Sequence, residues 1–185
     1  MAMGWEAPQA DAAKQVGNDA FAGLFAASRA RVCRYVRSLV RDDALAEDLA
    51  QDVFLKAYRA LRQGPPPDNL NAWLYAIATN TALSALRRRK LIAWLPLHGS
   101  AEAEERPAAP DLATLAGDRE LIAQTLRRLP KQDAACLLLR FQEHLSYAEL
   151  ASALGVSLSA AKSRVCRARA TFCETYLELS QEARR

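Results

Sequence analysis

The stretch from Ser146 to Ser157 constrains this chain most, because it spells out one short helix with both of its ends and the start of a second. Ser146 is followed three residues later by Glu149, the spacing at which each side chain satisfies the other's free backbone N–H. Tyr147, Leu150, Ala151 and Leu154 then recur at helical spacing and form an apolar face. Gly155 falls where a left-handed residue ends a helix, Val156 is placed to pack behind it, and Ser157 to cap the next helix. A short helix, a glycine turn and a second capped helix make a helix-turn-helix.

Helical geometry, at about 100° per residue, sorts the second helix into faces. Ala161, Val165, Ala168 and Phe172 fall together and face a core. Ser159, Ser163, Cys166 and Arg167 lie opposite, flanked by Lys162 and Arg164. No acid occurs from Leu158 to Cys173, and a helix that enters the DNA major groove needs that, because a carboxylate repels the phosphates. A solvated basic face is the alternative, and charge alone does not separate the two. Cap, turn and partner helix together favour the groove reader.

The rest of the chain is also helical in pattern. Hydrophobic residues make up 51% of it, with alanine and leucine dominant and aromatics at 7%, a bias that favours helix. An all-α fold of two small helical domains is expected. It comprises a tail at 1–17, a first domain at 18–92, a flexible linker at 93–117, a helix-turn-helix domain at 118–178 and a C-terminal tail at 179–185. Phe21, Leu24, Phe25, Val32, Val36, Leu39 and Val40 mark a first helix from Asn18. A second spans 43–61, with Leu45, Leu49, Val53, Ala57 and Leu61 along one side. Gly64-Pro65-Pro66-Pro67-Asp68 stops it. A third runs from Asn71 to Lys90. Pro96, Gly99, Pro107 and Pro110, with acids at 102–105, describe the linker. Helices at 118–128, 131–143, 147–153 and 158–177 complete the chain.

Two features of the first domain carry chemistry. The exposed side of helix 43–61 presents Glu47, Asp48, Gln51 and Asp52, either as a soluble helix surface or as a docking face for a basic partner. The loop with Pro66, Asp68 and Asn69 leads into a helix where Trp73 and Tyr75 offer flat surfaces for stacking on an unpaired base. Core packing is an equal alternative for Trp73. Asn80, Ser84, Arg87 and Arg88 continue toward a cationic end, Arg87 to Lys90, suited to phosphate.

The net charge is only +4, with 25 Lys and Arg against 21 Asp and Glu, so segregation of charge informs more than its sum. No N-terminal signal pattern and no run of about 20 apolar residues is present, and a cytoplasmic protein is expected. Cys33, Cys136, Cys166 and Cys173 form no C-x-x-C pair and read as free thiols. His98 and His144 stand far apart without ligand partners, and no phosphate loop or nucleophile signature occurs. Neither catalytic residues, nor a metal site, nor a cofactor is expected, and the chain does not read as an enzyme.

Three segments carry a family resemblance. Asp43-Ala-Leu-Ala-Glu-Asp-Leu-Ala-Gln-Asp-Val-Phe-Leu-Lys-Ala-Tyr-Arg-Ala-Leu61 is similar to the polymerase-binding helix of extracytoplasmic-function (group IV) sigma factors of the sigma-70 family. Asn71-Ala-Trp-Leu-Tyr-Ala-Ile-Ala-Thr-Asn80, running on to Arg87-Arg88-Arg89-Lys90, resembles their promoter-melting helix. Leu129 to Arg140, Leu145 to Ala151 and Val165 to Arg169 resemble their C-terminal promoter-reading domain. The resemblance covers about 20–90 and 119–175. Ser84 departs from it, standing where the family often carries aspartate.

The resemblance implies that Glu47, Asp48, Gln51 and Asp52 dock on the β′ clamp of core RNA polymerase, with the β flap as a further contact. It implies that Pro66, Asp68, Asn69, Trp73, Asn80, Ser84, Arg87 and Arg88 meet the −10 element, with a base flipped into loop 64–70. Unstacking a base costs a few kcal/mol, so the pocket that receives it both melts and reads the duplex. Ser159, Lys162, Ser163, Arg164 and Arg167 would read the −35 element, and an anti-sigma factor would occlude these surfaces. The alternative function is a helix-turn-helix regulator with a helical N-terminal sensor domain, which leaves the amide-and-aromatic segment 69–80 without a role. An adaptor or anti-sigma role, the third option, needs no basic recognition helix. Whether the two domains associate in the free protein is left open.

Overall fold

A computed structural model describes the backbone of residues 8–93 and 115–184 and the side chains of 21–91 and 119–184. Most of the expected linker, with Pro96, His98, Gly99 and the acids at 102–105, lies outside the described residues, as do residues 1–7. Every regular element among the described residues is helical.

The first unit comprises α1 (Pro8–Val40), α2 (Asp43–Gln63) and α3 (Leu70–Ala93). α1 begins well before the expected Asn18. Pro8 suits a first helical turn, where its missing N–H goes unused, and Ala10, Ala12 and Ala13 favour helix without any apolar period to betray it. Arg41 ends α1 in the left-handed region at φ 60°, its N–H bonded to the Arg37 carbonyl at 2.9 Å. Asp42 then caps α2 by accepting the Leu45 N–H at 3.0 Å. Asn69 does the same for α3, accepting the Ala72 N–H at 2.9 Å.

Val32, Val36 and Leu39 of α1, Leu49, Val53 and Ala57 of α2, and Leu74, Ala78 and Ala82 of α3 fill the space between these helices. Each large aliphatic among them contributes roughly 1.5–3 kcal/mol by leaving water. α3 is buried broadly, because Ala72, Tyr75 and Thr79 are buried beside Leu74, Ala78 and Ala82. A helix covered on two sides loses the one-sided pattern that betrays it in sequence.

In the second unit, α4 (Leu115–Arg128) packs on α7 (Leu158–Glu182). The helix expected at 131–143 is two pieces, α5 (Lys131–Leu137) and a single π turn (Leu138–Gln142). There the Glu143 N–H bonds five residues back, to the Leu138 carbonyl, at 3.0 Å. His144 follows in the left-handed region at φ 59°, and α6 (Tyr147–Leu154) leads into α7.

The two units are packed together. α3 lies against α6, and α1 meets the π turn. Glu143, buried at this seam, is held from three sides. Arg31 donates from Nε to its carboxylate at 3.1 Å and from Nη2 to its carbonyl at 3.1 Å. The Tyr75 hydroxyl donates to the same carboxylate oxygen, and Gln142 Nε2 donates to the other at 2.9 Å. A buried carboxylate is tolerable only when its lone pairs are met in this way. Behind it, the Tyr35 ring meets that of Tyr75 edge-on at 5.4 Å, and the Tyr35 hydroxyl pairs with Thr79 Oγ1 at 2.7 Å. Burial raises the pKa of both phenols well above the usual tyrosine range, so both remain donors.

Candidate nucleic-acid interface

The helix-turn-helix forms from the signals in its sequence. Ser146 N–H donates to Glu149 Oε2 at 2.8 Å, and Glu149 N–H donates to Ser146 Oγ at 3.2 Å. The Ser146 backbone N–H, then its hydroxyl and the Asn69 amide, hold the Glu149 carboxyl below the ordinary glutamate range. Gly155 adopts φ 64°, ψ 37°, and the Val156 N–H closes the turn on the Ala151 carbonyl at 3.0 Å. Ser157 Oγ accepts the Ala160 N–H at 3.2 Å and starts α7.

On α7, Ala161, Val165 and Ala168 are buried, and Phe172 is half-buried. Ser159, Lys162, Ser163, Cys166 and Arg167 are exposed, with Arg164 half-buried beside them. The outward strip is therefore brought together as expected from its spacing, with one qualification. The Ser159 hydroxyl already pairs with that of Ser157 at 3.1 Å. Sequence reasoning missed a neighbour of this strip. Phe141 is 52% exposed, and its ring lies under the guanidinium groups of Arg140 and Arg169, at 5.9 and 6.0 Å. Placed inside an expected regular helix, Phe141 carried no signal; the π turn sets it outward.

On α2, Glu47, Asp48, Gln51 and Asp52 are all exposed. Asp48, Gln51 and Asp52 rim a groove of about 630 Å³ whose floor is Phe21, Phe25, Phe54, Leu55 and Tyr58. Aromatic edges hold it open: Phe21 meets Tyr58 at 5.0 Å and Phe25 meets Phe54 at 4.9 Å. In sequence Phe21 and Phe25 only mark the first helix by their spacing. The signal for a groove was Leu55 and Tyr58, apolar residues off the four-residue stripe of α2.

The third group is more dispersed. Pro66, Asp68 and Asn69 are exposed in the loop, and Asn80, Arg87 and Arg88 along α3, with Trp73 and Ser84 half-buried. Trp73 packs against the core. Tyr75, expected as a stacking surface, is wholly buried and bonded to Glu143, so in this arrangement it offers no face to a base. Asn69 is engaged on both sides, since its Nδ2 donates to Glu149 Oε1 at 3.1 Å. Arg87 donates to Ser84 Oγ at 3.1 Å. Arg89 pairs with Asp42 at 3.1 Å, so one of the four terminal bases fastens α3 to the cap of α2.

Among the described residues no cluster of three His, Cys, Asp or Glu side chains could hold a metal ion. No described helix is long and apolar enough to cross a membrane. Cys33, Cys136, Cys166 and Cys173 are free thiols.

Comparison with known proteins matches both helical units. A family profile described as Sigma-70 region 2 matches residues 24–92, and one described as Sigma-70, region 4 matches residues 119–172. The RNA polymerase sigma factor CarQ of Myxococcus xanthus is 33% identical over 169 residues, covering 90% of this chain and 95% of CarQ. SigZ of Bacillus subtilis, also an RNA polymerase sigma factor, is 35% identical over 137 residues, covering 73% of this chain and 74% of SigZ. Among solved structures, the sigma factor RpoE of Bartonella quintana, crystallised with the anti-sigma factor NepR, is similar with a TM-score of 0.65. The two share 25% sequence identity, over 84% of this chain and 95% of that one. These likenesses do not favour a regulator with a sensor domain.

Proposed function

Because this chain belongs to the sigma-70 family, as an extracytoplasmic-function sigma factor that directs promoter-specific initiation by RNA polymerase, we propose how its three surfaces divide that work. The exposed, acid-free strip of α7 carries the reading. Lys162, Arg164 and Arg167 supply phosphate and base-edge donors, with Ser159 and Ser163 between them, at the −35 element. The strip stands on a helix whose start is fixed by the Gly155 turn and the Ser157 cap, so its register is set before DNA arrives.

Docking on the polymerase falls to α2. Asp48, Gln51 and Asp52 rim an apolar groove, with Glu47 exposed on the same helix, and a β′ clamp surface that is basic with an apolar ridge would complement both parts. Apolar contact in the groove supplies affinity, and the acidic rim supplies orientation and encounter rate. At the −10 element, Pro66, Asp68 and Asn69 form the loop that receives an unstacked base. Trp73 stands beside it, and Asn80, Ser84, Arg87 and Arg88 lead the strand away. The structure of RpoE with the anti-sigma factor NepR supports an anti-sigma partner for this chain too. The protein acts in the cytoplasm, by binding rather than by catalysis of its own.

The test is to add the purified chain to core RNA polymerase that lacks any sigma factor and to map run-off transcripts from a genomic promoter library. Specific starts with a shared −35 and −10 pattern are expected. Failure to bind core would overturn the assignment of α2.

A further inference from the structure

The basic run that ends α3 divides into two kinds of cation. Successive helical residues point about 100° apart, so Arg87, Arg88, Arg89 and Lys90 cannot all face one strand. By the same geometry Trp73, Asn80, Ser84, Arg87 and Arg88 fall within a sector of about 100°, and Arg89 falls nearly opposite it. The side that Arg89 shares is the one α3 turns to its neighbours, since Tyr75, Ala78 and Ala82 on it are buried. Arg87 and Arg88, by contrast, are exposed on the face proposed for the −10 element.

What Arg89 meets on its side is Asp42. Its Nη1 donates to Asp42 Oδ2 at 3.1 Å, while Asp42 Oδ1 accepts the Leu45 N–H at 3.0 Å as the cap of α2. One carboxylate therefore serves the first turn of the helix proposed to dock on the polymerase and the far end of the helix proposed to meet the promoter. A second tie lies nearer the middle of the same pair of helices, where Lys56 Nζ donates to Thr81 Oγ1 at 2.9 Å. Thr81 adjoins Asn80 as Arg89 adjoins Arg88, so each tie sits next to a proposed −10 contact.

The pair is suited to direction rather than to stability. The Arg89 side chain is 47% exposed and that of Asp42 34%, and an ion pair so open to solvent contributes little to folding. The last turn of a helix, however, has carbonyls without partners and is the first part to fray. Arg89 lies four residues before the end of α3 at Ala93. A cation held there keeps the preceding turn, with Arg87 and Arg88, facing outward when a strand pulls on it. Asp42 is a firm anchor, because the cap already orients its carboxylate.

We propose that Asp42 is a positioning residue for promoter opening, which fastens the cationic end of α3 to the docking helix through Arg89, and that Arg89 is a tie and not a phosphate contact. This division of the basic run rests on the assignment of α2 to the polymerase and of α3 to the −10 element.

The test uses the full chain, free and assembled with core polymerase, carrying Asp42→Asn, Arg89→Gln or both, with Arg88→Gln for comparison. Asparagine caps a helix as well as aspartate does, so Asp42→Asn removes the charge and keeps α2. On the free chain, hydrogen exchange over 84–92 should quicken in both single variants and in the double one. With core polymerase, promoter opening should slow on the order of threefold, within the range an exposed ion pair supports. The double variant should open no more slowly than either single one, because the two side chains act as a pair. The slope of log promoter affinity against log salt should keep the parent's value in Asp42→Asn and Arg89→Gln, and fall by about one in Arg88→Gln. Arg89→Lys, which returns a cation to Asp42, should restore the opening rate. A slope lowered by about one in Arg89→Gln makes Arg89 a phosphate contact and overturns the tie. Additive losses in the double variant overturn it too, as does an unchanged exchange or opening rate in Asp42→Asn. If exchange quickens but the parent chain itself opens no promoter on core polymerase, the tie stands and the functional assignment falls.

Discussion

Asn69 and Glu149, eighty residues apart in sequence, share a hydrogen bond of 3.1 Å that joins the cap of one helix to the cap of another. Asn69 Oδ1 serves the first turn of α3, and Glu149 Oε2 serves the first turn of α6. Two local devices, each legible from a few residues, are thereby coupled across the seam.

Substitution at 69 separates the cap from the seam. Aspartate caps a helix as well as asparagine does, whereas alanine forfeits about 1 kcal/mol. Asn69→Asp thus keeps α3 intact but sets a carboxylate against Glu149. Urea unfolding should place Asn69→Ala about 1 kcal/mol below the parent. Asn69→Asp should accelerate exchange at 143–150 at neutral pH, and this effect should fade as the pH is lowered and the carboxylates protonate. Equal exchange in the two variants at all pH values contradicts the coupling.

Acid should weaken the same joint. The folded-state pKa of Glu149 lies below its ordinary 4.5, so its contribution is fully present above that value. It is lost as pH falls through the depressed folded pKa. Glu149→Gln should therefore flatten the stability profile below pH 4.5 relative to the parent, as read by thermal unfolding across an acid series. The group is largely solvated, so the effect is small.

Left-handed backbone gives a pair of stability changes with opposite signs. Gly155 sits at φ 64° with nothing within 4 Å of an added Cβ, so Gly155→Ala costs conformational strain alone, roughly 1–2 kcal/mol. His144 sits at φ 59° without being glycine. His144→Gly releases the same strain, offset in part by the freedom glycine gains in the unfolded chain, for a net gain of up to about 1 kcal/mol. Denaturant midpoints measure both.

These contrasts show what was legible in the sequence. Ser146, Glu149, Gly155 and Ser157 act within a few residues of themselves, and the structure has each of their bonds. The faces of α7 follow from helical period alone. Glu143 was illegible because its partners, Arg31 and Tyr75, lie 112 and 68 residues away and because a π turn breaks the period just before it. Tyr75 was misjudged for the same reason: an aromatic beside asparagines looks available until another unit is packed over it. The groove beside Asp48 and Asp52 was half visible, since its acids stood out while Phe21 and Phe25 showed only the spacing of a helix.

Thiol chemistry should follow burial. Cys136 is buried, and its pKa is pushed up to about 11 by that burial, against a smaller lowering by Arg164, whereas Cys166 and Cys173 are exposed. Only the thiolate is nucleophilic. At about pH 8, near the ordinary thiol pKa, iodoacetamide should label Cys166 and Cys173 first and Cys136 only when the chain unfolds, as resolved by peptide mass spectrometry. Prompt labelling of Cys136 in the folded chain contradicts its placement in the core.

The strip on α7 yields the prediction most specific to function. Lys162 and Arg167 are both exposed and face away from Ala161, Val165 and Ala168, so Lys162→Ala with Arg167→Ala should leave thermal stability within about 0.5 kcal/mol of the parent, as surface changes do. Each phosphate that a side chain no longer neutralises lowers the slope of log affinity against log salt by about one. The double variant, assembled with core polymerase, should therefore bind promoter DNA more weakly and with a shallower salt dependence, while its affinity for core stays unchanged, because the docking groove lies on α2. A loss of core binding in that variant would show that α7 faces the polymerase rather than the DNA.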